Sequence, residues 1–496
     1  MFKKILIANR GEIAARVARS CQEMGIAAVA VYSEADLSSP HLHAADEAVC
    51  IGPAPATESY LNGAAIIAAA QHTGAQAIHP GYGFLSENAT FAQQVHEAGL
   101  TFIGPAPQSL SAVGNKIFAR RTVAALGVPV IPALEQPSTE PAVLKEQVEA
   151  LGYPLLIKAA AGGGGKGMRI VRSYDELDEA LAAAQREAAA AFAEGTVYIE
   201  RYLEKPHHVE VQLLGDQHGT LVHLGERECS IQRRYQKIFE ETPSPAVSEP
   251  LRADMTRAAL AVARAAGYYN AGTVEFILDD QGRFYFLEVN ARLQVEHPIT
   301  ELVTGLDLVR EQIRIAAGEE LGFGQDAIQP SGHACECRLY AEDPANGFLP
   351  APGPVLAWQP PAGPGVRVDA GVELDSQVSV YYDPLIAKLS TWGRDREQAR
   401  QRMQAALRQC VVLGPITNGP FLLDVLAHPA FIAGHTHTGF LAEHFQNWQP
   451  DTTTHRSVAA LAAALGQTQP SSGQAPSPHS PPPSPWTQLG GWRLGH

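Results

Sequence analysis

Cysteine is scarce and scattered in this chain. Six cysteines are spread through 496 residues, and only Cys335 and Cys337 lie close together. Their spacing suits a β-strand better than metal ligation. The cysteine usage therefore indicates a reducing, cytoplasmic setting.

Long apolar runs are missing as well. The opening segment MFKKILIANRGEIA carries two lysines and a short apolar stretch, but Asn9, Arg10 and Glu12 interrupt it. That stretch is too short for a signal peptide or a membrane span. We expect a first buried strand there and no membrane partner.

Positive charge is in deficit. The chain has 37 lysines and arginines against 52 aspartates and glutamates, which gives a net charge of -15. Such a balance argues against a nucleic-acid backbone or an anionic membrane as partner. An anionic substrate must therefore be held by local cations.

Residues 3 to 110 alternate short apolar runs with helical patterns. The runs are KILIA, AAVAVY, AQAIHP and LTFIG, and Ile13, Val17, Cys21 and Met24 recur at helical spacing. This alternation predicts an α/β unit in which helices flank a doubly wound parallel sheet. At 496 residues the chain is longer than one core usually takes, so we expect two or three domains.

Two further regions and a tail follow. GVPVIP and QPSTEP mark a boundary near residue 130, after which we expect a second α/β unit. From residue 332, HACECRLYAE, GPVLAWQ, GVRVDAG and AKLSTWG predict strands, and REQARQRMQAALRQC predicts an amphipathic helix. This strand-rich region ends near residue 446, and SSGQAPSPHSPPPSP beyond it is a low-complexity linker.

The segment AAAGGGGKGMRIV, residues 159 to 171, has the glycine content of a loop that approaches a ligand closely. It contains a formal G-x-G-x-x-G, but β-like segments lie on both sides, where a dinucleotide site needs a strand and then a helix. A Walker loop fails too, because Ala160 replaces its first glycine. We interpret the segment as a hairpin lid over phosphates, with Lys158 on its first strand; a flexible surface loop is the alternative.

A second hairpin, GTVEFILDDQGRFYFLEVN, carries paired carboxylates. If Leu278 pairs with Arg283, then Glu275 and Glu288 share a face as diagonal neighbours about 7 to 8 Å apart. Asn290 has the same parity as Glu288, and oxygen ligands of this kind suit Mg²⁺. A solvated acidic face is the alternative.

The next residues keep the same alternation. Arg292, Gln294 and Glu296 would place an anion binder, an amide and a carboxylate side by side. That combination suits holding a small oxyanion and removing a proton from it.

Five ordered motifs resemble the biotin carboxylase family, the ATP-grasp ligase component of biotin-dependent carboxylases. They are ANRGEIAARV, HPGYGFLSEN, KAAAGGGGKGMRIV, ERECSIQRRYQKIFEETP and EVNARLQVEHPITE. The resemblance runs from about Phe2 to residue 446. It implies an N-terminal domain over 1–115, an ATP-grasp domain over 116–331 with a lid at about 131–203, a C-terminal domain over 332–446, and a linker and tail over 447–496.

The resemblance also implies a reaction. Mg²⁺ or Mn²⁺ and ATP would convert bicarbonate to carboxyphosphate, whose CO₂ is transferred to biotin on a carrier protein or domain. A carboxyltransferase subunit would use the carboxybiotin, and the chain would form a homodimer or part of a larger complex. The identity of the finally carboxylated acyl-CoA is left open.

Site residues carry over position by position. The resemblance implies nucleotide contacts at Lys116, Lys158, Gly163, Gly164, Gly165, His208 and Gln232, with an adenine hinge from Glu200 to Leu203. It implies metal ligands at Glu275, Glu288 and Asn290. It implies a bicarbonate site of Lys237, Arg292, Gln294 and the Val295 backbone with Glu296 as base, and biotin contacts at Arg338, Tyr82 and Phe84.

Two positions depart from the family pattern. Tyr235 replaces a usual histidine and Asn115 a usual aspartate, so nucleotide affinity is expected to differ.

A non-catalytic subunit and an ATP-grasp ligase for another acid are the alternative functions. The tail segment SPWTQLGGWRLGH resembles the start of the middle region of long α subunits of 3-methylcrotonyl-CoA and geranyl-CoA carboxylases.

Overall fold

The computed structural model describes residues 1–496 except 115, 135–137, 141, 143, 146–147, 149–150, 160–167, 193–194, 452, 454–456, 459 and 461–496. The side chains of residues 116–118, 159 and 191–192 are also outside the description. The chain divides into two units, Met1–Trp448 and Gln449–His496. The fold and the site described below belong to the first unit.

The N-terminal region is a five-stranded parallel sheet in the order β3-β2-β1-β4-β5. Its strands are β1 (Lys4–Ile7), β2 (Ala27–Ser33), β3 (Glu47–Gly52), β4 (Ala77–His79) and β5 (Thr101–Phe102). Its helices are α1 (Gly11–Glu23), α2 (Pro40–His43), α3 (Gly63–Thr73), α4 (Ala89–Glu97) and α5 (Pro107–Gly114). The apolar runs are buried on both faces of the sheet, which confirms the predicted doubly wound parallel fold.

A small three-stranded sheet comes next, in the order β7-β6-β8. Helix α6 (Lys116–Ala125) precedes it, and its elements are β6 (Leu155–Ala159), β7 (Arg169–Val171), α7 (Tyr174–Phe192) and β8 (Val197–Arg201). Leu155 pairs with Val171 and Ile157 with Arg169, so the two strands that flank the glycine segment form the predicted antiparallel hairpin. Gly163, Gly164 and Gly165 themselves lie outside the described residues.

The central element is an eight-stranded antiparallel sheet in the order β13-β12-β9-β10-β11-β14-β21-β19. Its first five members in sequence are β9 (His207–Gly215), β10 (Leu221–Arg233), β11 (Gln236–Thr242), β12 (Asn270–Leu278) and β13 (Phe284–Asn290). The accompanying helices are α8 (Glu249–Ala265), α9 (His297–Thr304) and α10 (Leu308–Ala316). Most of the charged side chains of the candidate active site, described below, lie on this sheet or in the segment after β13.

The C-terminal region has the predicted strands and helix. Its strands are β14 (His333–Tyr340), β15 (Glu342–Asp343), β16 (Leu349–Pro350), β17 (Gly353–Pro354), β18 (Ala357–Gln359), β19 (Val366–Ala370), β20 (Gln377–Val378), β21 (Leu385–Gly393) and β22 (Val411–Leu413). Its helices are α11 (Arg396–Gln409), α12 (Gly419–Ala427), α13 (Pro429–Ile432) and α14 (Phe440–His444). Strands β14, β21 and β19 extend the central sheet, so one sheet runs across the boundary that we placed at residue 331.

No helix among the described residues is both long enough and apolar enough to cross a membrane.

Candidate active site

The paired carboxylates lie opposite each other on β12 and β13. Glu275 is the direct cross-strand partner of Glu288, and Leu278 pairs with Phe284. The predicted Leu278–Arg283 pairing was therefore wrong by one residue, and the pair is direct where we expected a diagonal. Asp279 lengthens the turn because its carboxylate accepts hydrogen bonds from the backbone amides of Gln281 and Arg283. A bulge between Glu275 and Phe276 then restores a shared face for the two glutamates.

Glu275 is buried and surrounded by donors. Its Oε1 accepts hydrogen bonds from Lys237 Nζ at 2.9 Å, Asn290 Nδ2 at 2.8 Å and Gln294 Nε2 at 2.9 Å. Its Oε2 lies 2.8 Å from His208 Nε2. Burial alone would raise the pKa of Glu275, but Lys237 and His208 outweigh burial and hold it well below its usual range. The structure thus brings four predicted site residues to one carboxylate.

Lys237 on β11 connects three buried carboxylates. Its Nζ lies 2.5 Å from Glu210, 2.9 Å from Glu275 and 2.7 Å from Glu296. Burial alone would lower the pKa of Lys237, but the surrounding acidic groups hold it well above its ordinary value. Glu210 in turn binds Arg227 at 2.5 Å. This ammonium is therefore fixed at the centre of the cluster and fully charged.

Glu296 lies between two cations. Its Oε1 is 2.7 Å from Lys237 Nζ, and its Oε2 is 3.0 Å from Arg338 Nη2. Burial would raise the pKa of Glu296, but Lys237 and Arg338 lower it far below its usual range. The strand-like alternation that we predicted for Arg292, Gln294 and Glu296 was wrong, because β13 ends at Asn290 and Glu296 is the N-cap of α9. The loop nevertheless brings Gln294 and Glu296 to the same cluster.

Arg292 is positioned by a residue that sequence reasoning missed. Its Nε lies 3.1 Å from Glu87, and its Nη2 donates to Asn290 Oδ1 at 3.0 Å. Burial would lower the pKa of Arg292, but Glu87 and Glu296 raise it. Glu87 lies inside the motif HPGYGFLSEN, so its place in a family motif was the signal available.

A second buried lysine holds the Val295 backbone. Lys388, fully buried on β21, donates to the carbonyl oxygen of Val295 at 2.8 Å and lies 3.1 Å from Glu12. Tyr82 donates a short hydrogen bond to the same Glu12 carboxylate. Phe84, with a φ of 41°, stacks on Tyr60 at a ring distance of 5.0 Å. Lys388 was not anticipated; Glu12 is part of the motif ANRGEIAARV.

Two of the predicted nucleotide contacts meet on the small sheet. Lys158 on β6 forms an ion pair with Glu200 on β8, and Tyr198 donates to Glu200 at 2.9 Å. Leu203 follows β8 and is partly buried. The described part of Lys116 is its backbone, at the start of α6, while Asn115 and the glycines 163 to 165 are outside the described residues.

One of the two departures, Tyr235, lies in the turn after β10, and the predicted ribose contact Gln232 lies near the end of that strand. Gln232 pairs with Lys237 across β10 and β11. Arg234 and Tyr235 form the turn with φ values of 47° and 67°, and Tyr235 is 60% exposed. The phenol therefore lies on the surface, two residues before the buried lysine.

The donor set fits a hard divalent cation. Glu275, Glu288 and Asn290 offer carboxylate and amide oxygens from two paired strands, which is the ligand type that Mg²⁺ prefers. Asn290 presents its amide nitrogen to Glu275 and its oxygen to Arg292. Binding a cation here thus requires the Asn290 side chain to exchange these partners.

The chain matches three protein families in order. Residues 1–110 match the biotin carboxylase N-terminal domain, 115–323 the ATP-binding domain of the carbamoyl-phosphate synthase L chain, and 336–443 the biotin carboxylase C-terminal domain.

Curated relatives agree with these matches. A biotin carboxylase from Nostoc sp. is 52% identical over 443 residues, which are 89% of this chain and 99% of that protein. The mitochondrial methylcrotonoyl-CoA carboxylase subunit alpha of Arabidopsis thaliana is 47% identical over 507 residues, covering 100% of this chain and 69% of its own length.

Solved structures have the same fold. The biotin carboxylase domain dimer of Hydrogenobacter thermophilus 2-oxoglutarate carboxylase, in complex with MgADP, ADP and bicarbonate, is 44% identical with a TM-score of 0.86. The biotin carboxylase of Campylobacter jejuni, in a nucleotide complex, has the same identity and TM-score. Each comparison covers 90% of this chain and 99% of the other.

Proposed function

The chain belongs to the biotin carboxylase family, and from that premise we propose that it carboxylates carrier-bound biotin as the first half-reaction of an acyl-CoA carboxylase. It is an ATP-dependent ligase that uses Mg²⁺ and bicarbonate. The observation that carries the assignment of residues is the position of Glu296, whose two oxygens contact Lys237 at 2.7 Å and Arg338 at 3.0 Å.

The bicarbonate site is formed by Lys237, Arg292, Gln294 and the Val295 backbone. Two cations and an amide suit the charge and the planar oxygens of that anion. Glu296 stays ionised beside Lys237, so it can accept the bicarbonate proton when the anion attacks the terminal phosphate of ATP. The carboxylates of the cluster contact the same donors that we assign to the substrate oxygens.

Glu275, Glu288 and Asn290 would hold the metal ion. A bound Mg²⁺ neutralises charge on the nucleotide phosphates. The chain itself contributes the orientation of the carboxylates, which the β12–β13 register and the Glu275 hydrogen bonds fix. Lys116, Lys158, His208, Gln232, the hinge from Glu200 to Leu203 and the glycine segment would bind the nucleotide.

Biotin would lie beside Arg338, Tyr82 and Phe84. Arg338 is buried and permanently charged, so it can stabilise the enolate that biotin forms when its ureido nitrogen loses a proton. Lys388 and Glu12 keep Tyr82 and the Val295 carbonyl near one another. The biotin and bicarbonate positions therefore meet at Glu296 and Arg338.

Partners follow from the reaction. We propose a biotin carboxyl carrier protein or domain as the substrate, a carboxyltransferase subunit as the next enzyme, and a homodimer as the working form, in a reducing cytoplasm. Alignment along the α subunit of methylcrotonoyl-CoA carboxylase supports an acyl-CoA carboxylase. The free state of all six cysteines agrees with that compartment.

We expect ATP turnover by the purified chain to depend on bicarbonate and to rise with free biotin. The measurement is ADP release with each substrate omitted in turn, together with capture of [¹⁴C]carboxybiotin. Turnover that needs a different acid would favour another ATP-grasp ligase. No turnover at saturating Mg-ATP would favour a non-catalytic subunit.

Valine at Gly164 or Gly165 is expected to lower ATP turnover at least about tenfold, because a closing lid excludes water from a labile intermediate and a branched side chain restricts its backbone. The thermal midpoint should change by less than about 3 °C. Gly219→Val, at a turn of the central sheet where φ is 104°, is the control: the strained valine should lower the thermal midpoint without lowering ATP turnover. Equal losses of turnover and stability would instead indicate a structural loop.

A further inference from the structure

Two buried glutamates face each other beneath the biotin side of the site. Glu240 on β11 is the direct cross-strand partner of Glu336 on β14, and both are 0% exposed. Helix α9 packs across β11, β14 and β21. The opposite face of these strands packs apolar side chains, among them Cys337 and Leu389, against α11. The pair therefore lies in a charged layer enclosed between the sheet and α9.

Each glutamate has one satisfied oxygen and one unsatisfied oxygen. Glu240 Oε1 accepts from Arg338 Nε at 2.6 Å, and Glu336 Oε2 accepts from the Ser390 hydroxyl at 2.6 Å. Glu240 Oε2 and Glu336 Oε1 are buried without a hydrogen-bond partner. The Cβ atoms of direct cross-strand partners lie only about 4.5 to 5.5 Å apart. One proton shared between these two oxygens would give each of them a hydrogen-bond partner.

The cations nearest the pair also bind other groups of the cluster. The charged groups that act on the pair are Lys237 on β11, Arg338 on β14, Lys388 on β21 and Glu296 at the start of α9. Asp369 on β19 and His297 on α9 act on Lys388 in turn. Arg338 already binds Glu296, and Lys388 already binds Glu12 and the Val295 carbonyl. Burial is the largest cause that raises the pKa of Glu336 to about 8 and that of Glu240 to about 7.

We propose that Glu240 and Glu336 share one proton, so that the pair presents a single negative charge to Arg338 and positions its guanidinium for biotin. Both are positioning residues, because they act through Arg338. The inference rests on the biotin role proposed for Arg338, but the shared proton itself is independent of the reaction.

A pH dependence follows, and its sign is fixed. At pH values below the pKa at which the pair loses its proton, its single negative charge balances Arg338. Above it, the shared proton is lost and a second negative charge competes with the developing enolate for the same guanidinium. The biotin-dependent rate of the parent enzyme should therefore fall at alkaline pH.

Infrared difference spectra of the intact protein in D₂O test the shared proton directly. At neutral pH the parent should show a protonated-carboxyl C=O band that is absent from both Glu336→Gln and Glu240→Gln, because removing either partner leaves the other as the only counter-charge. If the band survives in Glu240→Gln, the two groups titrate independently and the proposal fails. No band in the parent would overturn it as well.

Kinetics supply the second readout. Glu336→Gln, which imitates the neutral partner, should keep carboxylation of free biotin within about threefold at neutral pH and lose the alkaline decline, whereas Glu240→Gln should lower it at least about tenfold. Glu311→Gln on α10, a buried carboxyl with a raised pKa that pairs with Arg314, is the matched control and should leave the pH profile unchanged. An alkaline decline that persists in Glu336→Gln contradicts the proposal. An inactive parent that retains the infrared band would refute the proposed function alone.

Discussion

Glu288→Gln is expected to lower ATP turnover by about three orders of magnitude or more, since a metal ion that neutralises phosphate charge supplies several kcal/mol. The amide has nearly the same shape but carries no charge, so the β12–β13 pairing should persist. Glu275 opposite it would still face Lys237 and His208, and neither can replace an anionic metal ligand. The measurement is ADP release across a Mg²⁺ titration, with the thermal midpoint as a check on folding.

Asp280→Asn is the matched control for this substitution. Asp280 lies at the exposed turn of the same hairpin, so its neutralisation changes the net charge equally without reaching the cluster. Its turnover should equal that of the parent. If Glu288→Gln turns over ATP at a near-normal rate at saturating Mg²⁺, Glu288 is not a metal ligand.

The β12–β13 hairpin illustrates what the sequence could and could not predict. Alternation placed Glu275, Glu288 and Asn290 on one face, and the structure has them there. The register was wrong because two local features compete with simple alternation. The Asp279 side chain closes a longer turn, and a bulge absorbs the resulting offset. Neither feature produces a periodic residue pattern that could be recognised in the sequence.

Long-range partners were harder to predict. Glu87 reaches Arg292 from 205 residues away, and Lys388 reaches Val295 from 93 residues away. No local pattern signals such contacts, because the three-dimensional arrangement of separate elements creates them. The family resemblance gave Arg338 and Tyr82 a role, but it gave none to Glu240 or Glu336, whose importance depends on which oxygens lack a partner.

The same limit applies to domain boundaries. Strand-like segments from residue 332 onward placed a boundary near residue 331, and a strand does begin at His333. That strand, however, pairs with β11, so the central sheet continues through it. Sequence patterns identify strands. Which sheet a strand joins depends on which strand edges are available in the folded chain.

Arg338→Ala and Glu296→Ala are expected to separate the two half-reactions. In the proposed mechanism Arg338 acts only after biotin loses its proton, so its loss should lower carboxybiotin formation at least about 100-fold while bicarbonate-dependent ATP hydrolysis falls less than about tenfold. Glu296 is proposed to act on bicarbonate itself, so its removal should lower both activities together. Both rates are measured in one assay, as ADP release and [¹⁴C]carboxybiotin.

Arg257→Ala, on the exposed face of α8, is the control for loss of an arginine. It should leave both rates unchanged. The separation has a structural reason: Arg338 contacts both Glu296 and Glu240, whereas Lys237 contacts Glu296 independently of Arg338. Removing Arg338 therefore leaves the Lys237–Glu296 contact of the proposed bicarbonate site in place. Equal loss of both activities in Arg338→Ala would mean that Arg338, and not Lys237, fixes Glu296 for the first step.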